Sequence, residues 1–183
     1  MTTNSGDIVP DTKDWTWVLD EACGQCGFDT RLVARRDISE VVRANAAAWP
    51  AVLARQDAAH RPASGVWSPV EYACHVRDVY RIFDERLALM LREEAPGFEN
   101  WDQDATAIAQ RYASQDPAVV TVELSDAAQS VAAAFDAVPH GAWGRIGVRG
   151  DGSHFTVETL GRYMVHDPEH HLFDVTGSTA WRR

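Results

Sequence analysis

The segment Ser68-Pro69-Val70-Glu71 carries three helix-start signals in four residues: an N-cap serine, a proline at the first helical position, and a glutamate three residues after the cap. From there Tyr72, Val76, Val79, Phe83, Leu87 and Met90 recur at helical spacing, and the helix should stop before Pro96-Gly97. A helix this long with one apolar face must bury that face against a partner. Three other segments have the same character. Ile38, Val41, Val42, Trp49, Val52 and Leu53 mark a helix from about Ile38 to Ala58, opened by the capping pair Asp37/Glu40 and expected to kink at Pro50. After Asp116-Pro117, a helix carries Leu124, Ala128, Val131, Phe135 and Val138 on one face and is ended by Pro139 and Gly141. The last runs from about Val157 to Val175 and ends near Gly177. Asp102 to Ser114 reads as a short extra helix. Trp143 to Thr156, with its Gly150-Asp151-Gly152 turn, reads as a β-hairpin. Four long amphipathic helices cover one another most economically as an all-α four-helix bundle.

The first part of the chain does not share this periodicity. Met1 to Thr12 is polar and reads as a flexible tail. Trp15 to Phe28 holds two tryptophans and Cys23 and Cys26, and is either a short strand or an irregular loop packed on the body. The expected organisation is therefore an N-terminal segment over residues 1–37 and a bundle over 38–183. A net charge of −10 argues against a broad basic footprint for nucleic acid. No apolar run approaches the roughly 18 residues of a membrane helix. The start of the chain lacks the basic-then-apolar layout of a secretion signal, so a cytoplasmic location is expected. Three cysteines, Cys23, Cys26 and Cys74, argue against a disulfide scaffold.

The chemistry sits in the histidines. His60, His140 and His154 fall in loops, where a solvated side chain is the default. His166 and His170 are four residues apart in the last helix, about 40° apart around its axis, so two imidazoles point the same way and can share one metal. Pro168 between them removes one backbone hydrogen bond and perturbs that ideal angle. His171 lies about 140° from His166 and is not counted as a ligand. His75 stands one turn into the second helix, at the edge of its apolar stripe, where a bundle can bring it opposite the pair. Three imidazoles with an open fourth position make a catalytic pattern. On spacing alone, a surface histidine pair and a half-buried His75 remain the commoner arrangement.

At this point the sequence resembles a known family. The stretch Trp67-Ser68-Pro69-Val70-Glu71-Tyr72-Ala73-Cys74-His75-Val76-Arg77-Asp78 resembles the second helix of DinB-like proteins, and His166-Asp167-Pro168-Glu169-His170-His171 resembles their C-terminal histidine block. The resemblance covers roughly Ile38 to Val175. Trp15-Thr16-Trp17-Val18-Leu19 followed by Cys23-Gly24-Gln25-Cys26-Gly27-Phe28-Asp29 is similar to the start of the actinobacterial branch. The resemblance implies an up-down-down-up bundle and one divalent metal held by His75, His166 and His170. Zinc is the first expectation, with nickel, manganese or iron as alternatives. The wider superfamily includes thiol-dependent transferases and a mycothiol-dependent maleylpyruvate isomerase.

The expected activity is then transfer of a low-molecular-weight thiol, mycothiol-like, to a small electrophile. A thiol entering an open metal position is held as thiolate, the nucleophilic form. Metal-dependent hydrolysis and non-catalytic binding or sensing of a metal or small ligand are the alternatives. The partner is a small-molecule substrate, with no nucleic acid and no membrane, and a homodimer is open. Asp78, one turn after His75, is a candidate outer acceptor or a solvated acid beside Arg77 or Arg81. Tyr163 is a candidate pocket wall or plain core, and Arg162 a candidate contact for an anionic substrate or a surface salt-bridge partner. Cys23 and Cys26 resemble half of a zinc knuckle or a redox dithiol, and no matching second pair is visible among the cysteines.

Overall fold

The computed structural model describes residues 14–181. The expected flexible tail, Met1 to Thr12, lies outside the described residues. Four long helices form the body: α1 (Ile38–Leu53), α2 (Pro69–Arg92), α4 (Pro117–Asp136) and α5 (Val157–Thr176). Both α1 and α2 pack along α4 and α5, and touch each other much less, so they face one another across the diagonal of a bundle. The short α3 (Gln103–Ala109) lies against α2.

The start of α2 follows the sequence signals. Ser68 Oγ accepts from the Glu71 backbone N–H, and the Glu71 carboxylate accepts from the Ser68 backbone N–H. Arg61 closes over the same carboxylate. The start of α5 uses the equivalent device with Thr156 and Thr159, and α5 ends at Gly177, whose φ of 72° only glycine adopts without strain. Helix α1 runs through Pro50 and stops at Leu53, five residues before the expected Ala58. The expected helix over Asp102–Ser114 is broken instead at Arg111 (φ 51°), leaving α3 and a single 3-10 turn at Tyr112–Ser114.

The hairpin forms as expected, with β2 (Ile146–Arg149) antiparallel to β3 (His154–Thr156). A two-residue strand, β1 (Gly97–Phe98), joins β2 in parallel and was not visible in the sequence. It is too short to show periodicity. The N-terminal segment is irregular, with 3-10 turns at Thr16–Leu19, Thr30–Leu32 and Arg35–Asp37, and the first two pack on α5.

One buried polar network fixes how α5 is turned about its axis. Asn45 of α1 donates to the Pro168 carbonyl and to Glu169 Oε1, at 2.9 and 3.1 Å. Its own oxygen accepts from Trp49 Nε1 and Tyr80 Oη. Glu169 is fully buried and also accepts from the Trp181 backbone N–H. With Glu169 locked against α1, Asp167 and His171 are directed to the opposite side of the helix, and His166 and His170 lie about 60–100° from Glu169 around the axis. Gly161, about two turns before Glu169, lets α5 approach closely. A Cβ there would come within 2.7 Å of Ile38 Cδ1 and 2.8 Å of Phe135 Cε1.

Candidate metal centres

Helix α5 presents two i,i+4 pairs offset by one residue, His166/His170 and Asp167/His171, so the pairs lie about 100° apart around the axis. Each pair meets different partners. Asp167 and His171 meet His75 of α2, and the ligand atoms of these three residues lie within 4.8 Å of one another. His166 and His170 meet Cys23 and Cys26 of the N-terminal segment, with their ligand atoms within the same limit. The expected trio His75, His166 and His170 is not one of these groupings. The structure places His75 with Asp167 and His171 instead.

In the first group, His75 Nε2 stands 3.0 Å from Asp167 Oδ1, and His171 Nε2 stands 3.6 Å from the same oxygen. His75 is fully buried, and its Nδ1 has no hydrogen-bond partner among the described residues. With Nε2 turned to Asp167, it is this nitrogen and not the unpartnered Nδ1 that faces the group. His171 Nδ1 is 2.9 Å from Asp174 Oδ2. With Asp174 accepting there, Nε2 keeps the lone pair that a cation needs. Burial raises the Asp167 carboxyl, but His75 and His171 outweigh it and hold the group well below the usual carboxylate range. Trp101 stacks on His75 at 5.1 Å and 10°, and Trp67 tilts against it at 5.4 Å. Two imidazoles and one carboxylate are a donor set that divalent transition metals accept.

In the second group, Cys23 Sγ is 3.6 Å from His170 Nδ1, and Cys26 Sγ is 3.9 Å from His166 Nε2. Both histidines are buried, and burial pushes His166 down to about 4, with Asp167 opposing and His170 and His171 reinforcing the shift. Burial pushes the Cys26 thiol up to about 12. The ring of Trp15 lies 5.5 Å from that of His166 and 5.3 Å from that of His170.

Both groups border one cleft of about 770 Å³. Asp167 and His171 lie on its wall beside His166 and His170, with Trp15, Trp67 and Trp101 around them and Arg86, Arg149 and Tyr163 further along. Arg149 donates to Tyr163 Oη at 3.1 Å and is paired with Asp151. Arg86 is 8% exposed; burial and the neighbouring Arg149 charge push it down to about 10.

A sequence model of the DinB superfamily matches residues 38–173. The chain belongs to the DinB superfamily. Among solved structures, this DinB-superfamily chain is similar to YfiT from Bacillus subtilis, described as a probable metal-dependent hydrolase with an unusual four-helix bundle topology. The TM-score is 0.70 at 20% identity, covering 78% of this chain and 84% of that one, a likeness that shows the fold alone. No curated protein matches the sequence.

The remaining sequence candidates fall as follows. Tyr163 lines the cleft. Arg162 does not; it donates to the Val33 carbonyl and pairs with Glu158. Asp78 points away from His75, into a buried cluster with Arg77 and Tyr112. Sequence reasoning missed Asp167, set His171 aside, and did not see Arg86 or Arg149. The 140° between His166 and His171 is what assigns them to different groups. Asp167 and His171 carry the same i,i+4 signal as the histidine pair, but only if a carboxylate is admitted as a ligand. Among the described residues, no helix is long and apolar enough to cross a membrane.

Proposed function

We infer that this protein is a metal-dependent enzyme of the DinB superfamily that activates a low-molecular-weight thiol for transfer to a small anionic electrophile. The observation that carries the reading is the His75/Asp167/His171 group, which reaches the wall of a ligand-sized cleft through Asp167 and His171. A divalent metal bound there, with zinc the first expectation, carries a net charge of about +1 after one carboxylate and two neutral imidazoles, and an open position that favours a thiolate over a thiol.

The rest of the work falls to the chain. Asp174 orients His171, and Trp67 and Trp101 enclose His75 against water. Tyr72 packs on His171 at 5.0 Å and closes the same side. Arg149, held by Asp151 and Tyr163, and Arg86, held by the Glu99 carbonyl, place two cations at the far part of the cleft. Arg149 is already paired with Asp151 and lies 3.8 Å from Asp14, so Arg86, whose partner is a neutral carbonyl, is the guanidinium that favours an anionic occupant and can donate to its carboxylate. Positioning the electrophile at that end leaves its reactive carbon free to face the thiol, which is the entropic part of the rate gain. A mycothiol-like thiol fits the reading as the cosubstrate.

Hydrolysis is the second reading, since the same centre can activate water, and YfiT is described as a probable hydrolase. The two are separated by assaying small carboxylate-bearing electrophiles with and without added thiol. Thioether formation that depends on thiol, and a KM for the electrophile raised about 10–100-fold in Arg86→Gln with the thiol KM little changed, supports transfer, because losing a charge-assisted contact costs about 1.5–3 kcal/mol. Product release without thiol at the same rate supports hydrolysis and contradicts the transferase reading.

A further inference from the structure

The Cys23/Cys26/His166/His170 group lies outside the reactive trio, and its two cysteines precede the family match, which begins at residue 38. We propose that these four residues bind a second metal ion, a structural zinc that fastens the N-terminal segment to α5. The proposal stands on geometry. With bonds of about 2.3 Å to sulfur and 2.05 Å to nitrogen, a tetrahedral zinc separates a sulfur from a nitrogen ligand by about 3.6 Å. The two recorded sulfur–nitrogen separations are 3.6 and 3.9 Å. The loop is shaped for the purpose: the Gly27 backbone N–H donates to the Cys23 carbonyl at 2.8 Å, and Gly27 itself takes φ 74°, turning the chain immediately after Cys26. The three cysteines carry no disulfide.

Charge distinguishes the two centres. Zinc with two thiolates and two neutral imidazoles is neutral overall, which suits a site whose ligands are largely buried. On binding, the two thiol protons leave to solvent and two zinc–sulfur bonds form, with no change in oxidation state. Four protein ligands fill the tetrahedron and leave no open position, so this ion does no chemistry on a substrate. Its effect is positional. Asp14, Trp15 and Gln25 lie on the cleft wall, and the zinc ties the segment that carries them to the helix that carries Asp167 and His171.

X-ray absorption at the zinc edge on the untagged wild-type protein reads the sulfur shell directly. Scatterers at about 2.3 Å are expected. The reactive trio has no sulfur, so this signal is independent of whether that trio binds metal or the protein is an enzyme. The Cys23→Ser, Cys26→Ser double variant is expected to lose that shell and one metal per chain, and to melt at a lower temperature. Cobalt-loaded wild type is expected to show sulfur-to-cobalt charge-transfer absorption that His171→Ala keeps. A zinc-loaded wild type with no sulfur scatterer, or one whose Cys23 and Cys26 react as two free thiols in the presence of excess zinc, overturns the proposal.

Discussion

His171→Ala is expected to lose the metal of the His75/Asp167/His171 group and to slow turnover about a thousandfold, while keeping the helical signal and the sulfur-ligated ion. The size follows from the several kcal/mol that a bound metal contributes, at about 1.4 kcal/mol per factor of ten. The neighbouring variant, His170→Ala, is the internal control. Its side chain faces Cys23, so it is expected to lose the sulfur-ligated ion and some thermal stability and to retain the metal held by His171. Metal content per chain, circular dichroism and the thiol-transfer rate, measured on both variants, check the pair. Equal effects from the two substitutions would mean that the offset between the two faces of α5 does not separate two centres.

Asp78→Ala carries the second large effect, and it falls on stability. Asp78 accepts from Arg77 Nε at 2.8 Å, from Arg77 Nη2 at 3.1 Å and from Tyr112 Oη at 2.5 Å. Arg77 is 2% exposed and also reaches Gln110, Gln115 and Glu123, so the cluster ties α2 to α4 and to the turn between α3 and α4. Removing the carboxylate takes two hydrogen bonds from the buried guanidinium and the acceptor from Tyr112 Oη, while Glu123 at 2.6 Å stays as the one carboxylate on Arg77, so the expected cost is about 3 kcal/mol, the low end for a broken buried pair. Urea unfolding measures the loss, and metal content per folded chain is expected to be unchanged. Full stability with lost metal would instead return Asp78 to a role beside His75.

The bundle was legible because its signals are local. The cap at Ser68 and Glu71, the prolines at 69 and 117, and stripes of period 3.6 are written within single helices. The site was legible only in part, because helical arithmetic says which residues share a face but not what that face meets. His166 and His170 do point the same way, and the structure sets them against Cys23 and Cys26, whose separation in sequence is about 140 residues. Cys23 and Cys26 were sought among cysteine partners, yet the matching pair is made of imidazoles. The register of α5 is set by Asn45 and Glu169, a tertiary contact that no window around the histidines contains. Asp78 shows the converse: of its two readings the structure has the one beside Arg77 and Arg81, buried rather than solvated. One turn after His75 is the right spacing for a shared face, but the Arg77 guanidinium beside it draws the carboxylate into the α2–α4 contact.

An anomalous difference map from crystals grown with zinc locates the reactive metal directly. A peak bounded by His75, Asp167 and His171 is expected, separate from a peak among Cys23, Cys26, His166 and His170. A map with no peak at His75, Asp167 and His171, repeated with manganese, iron and nickel, would mean that these three residues hold no metal.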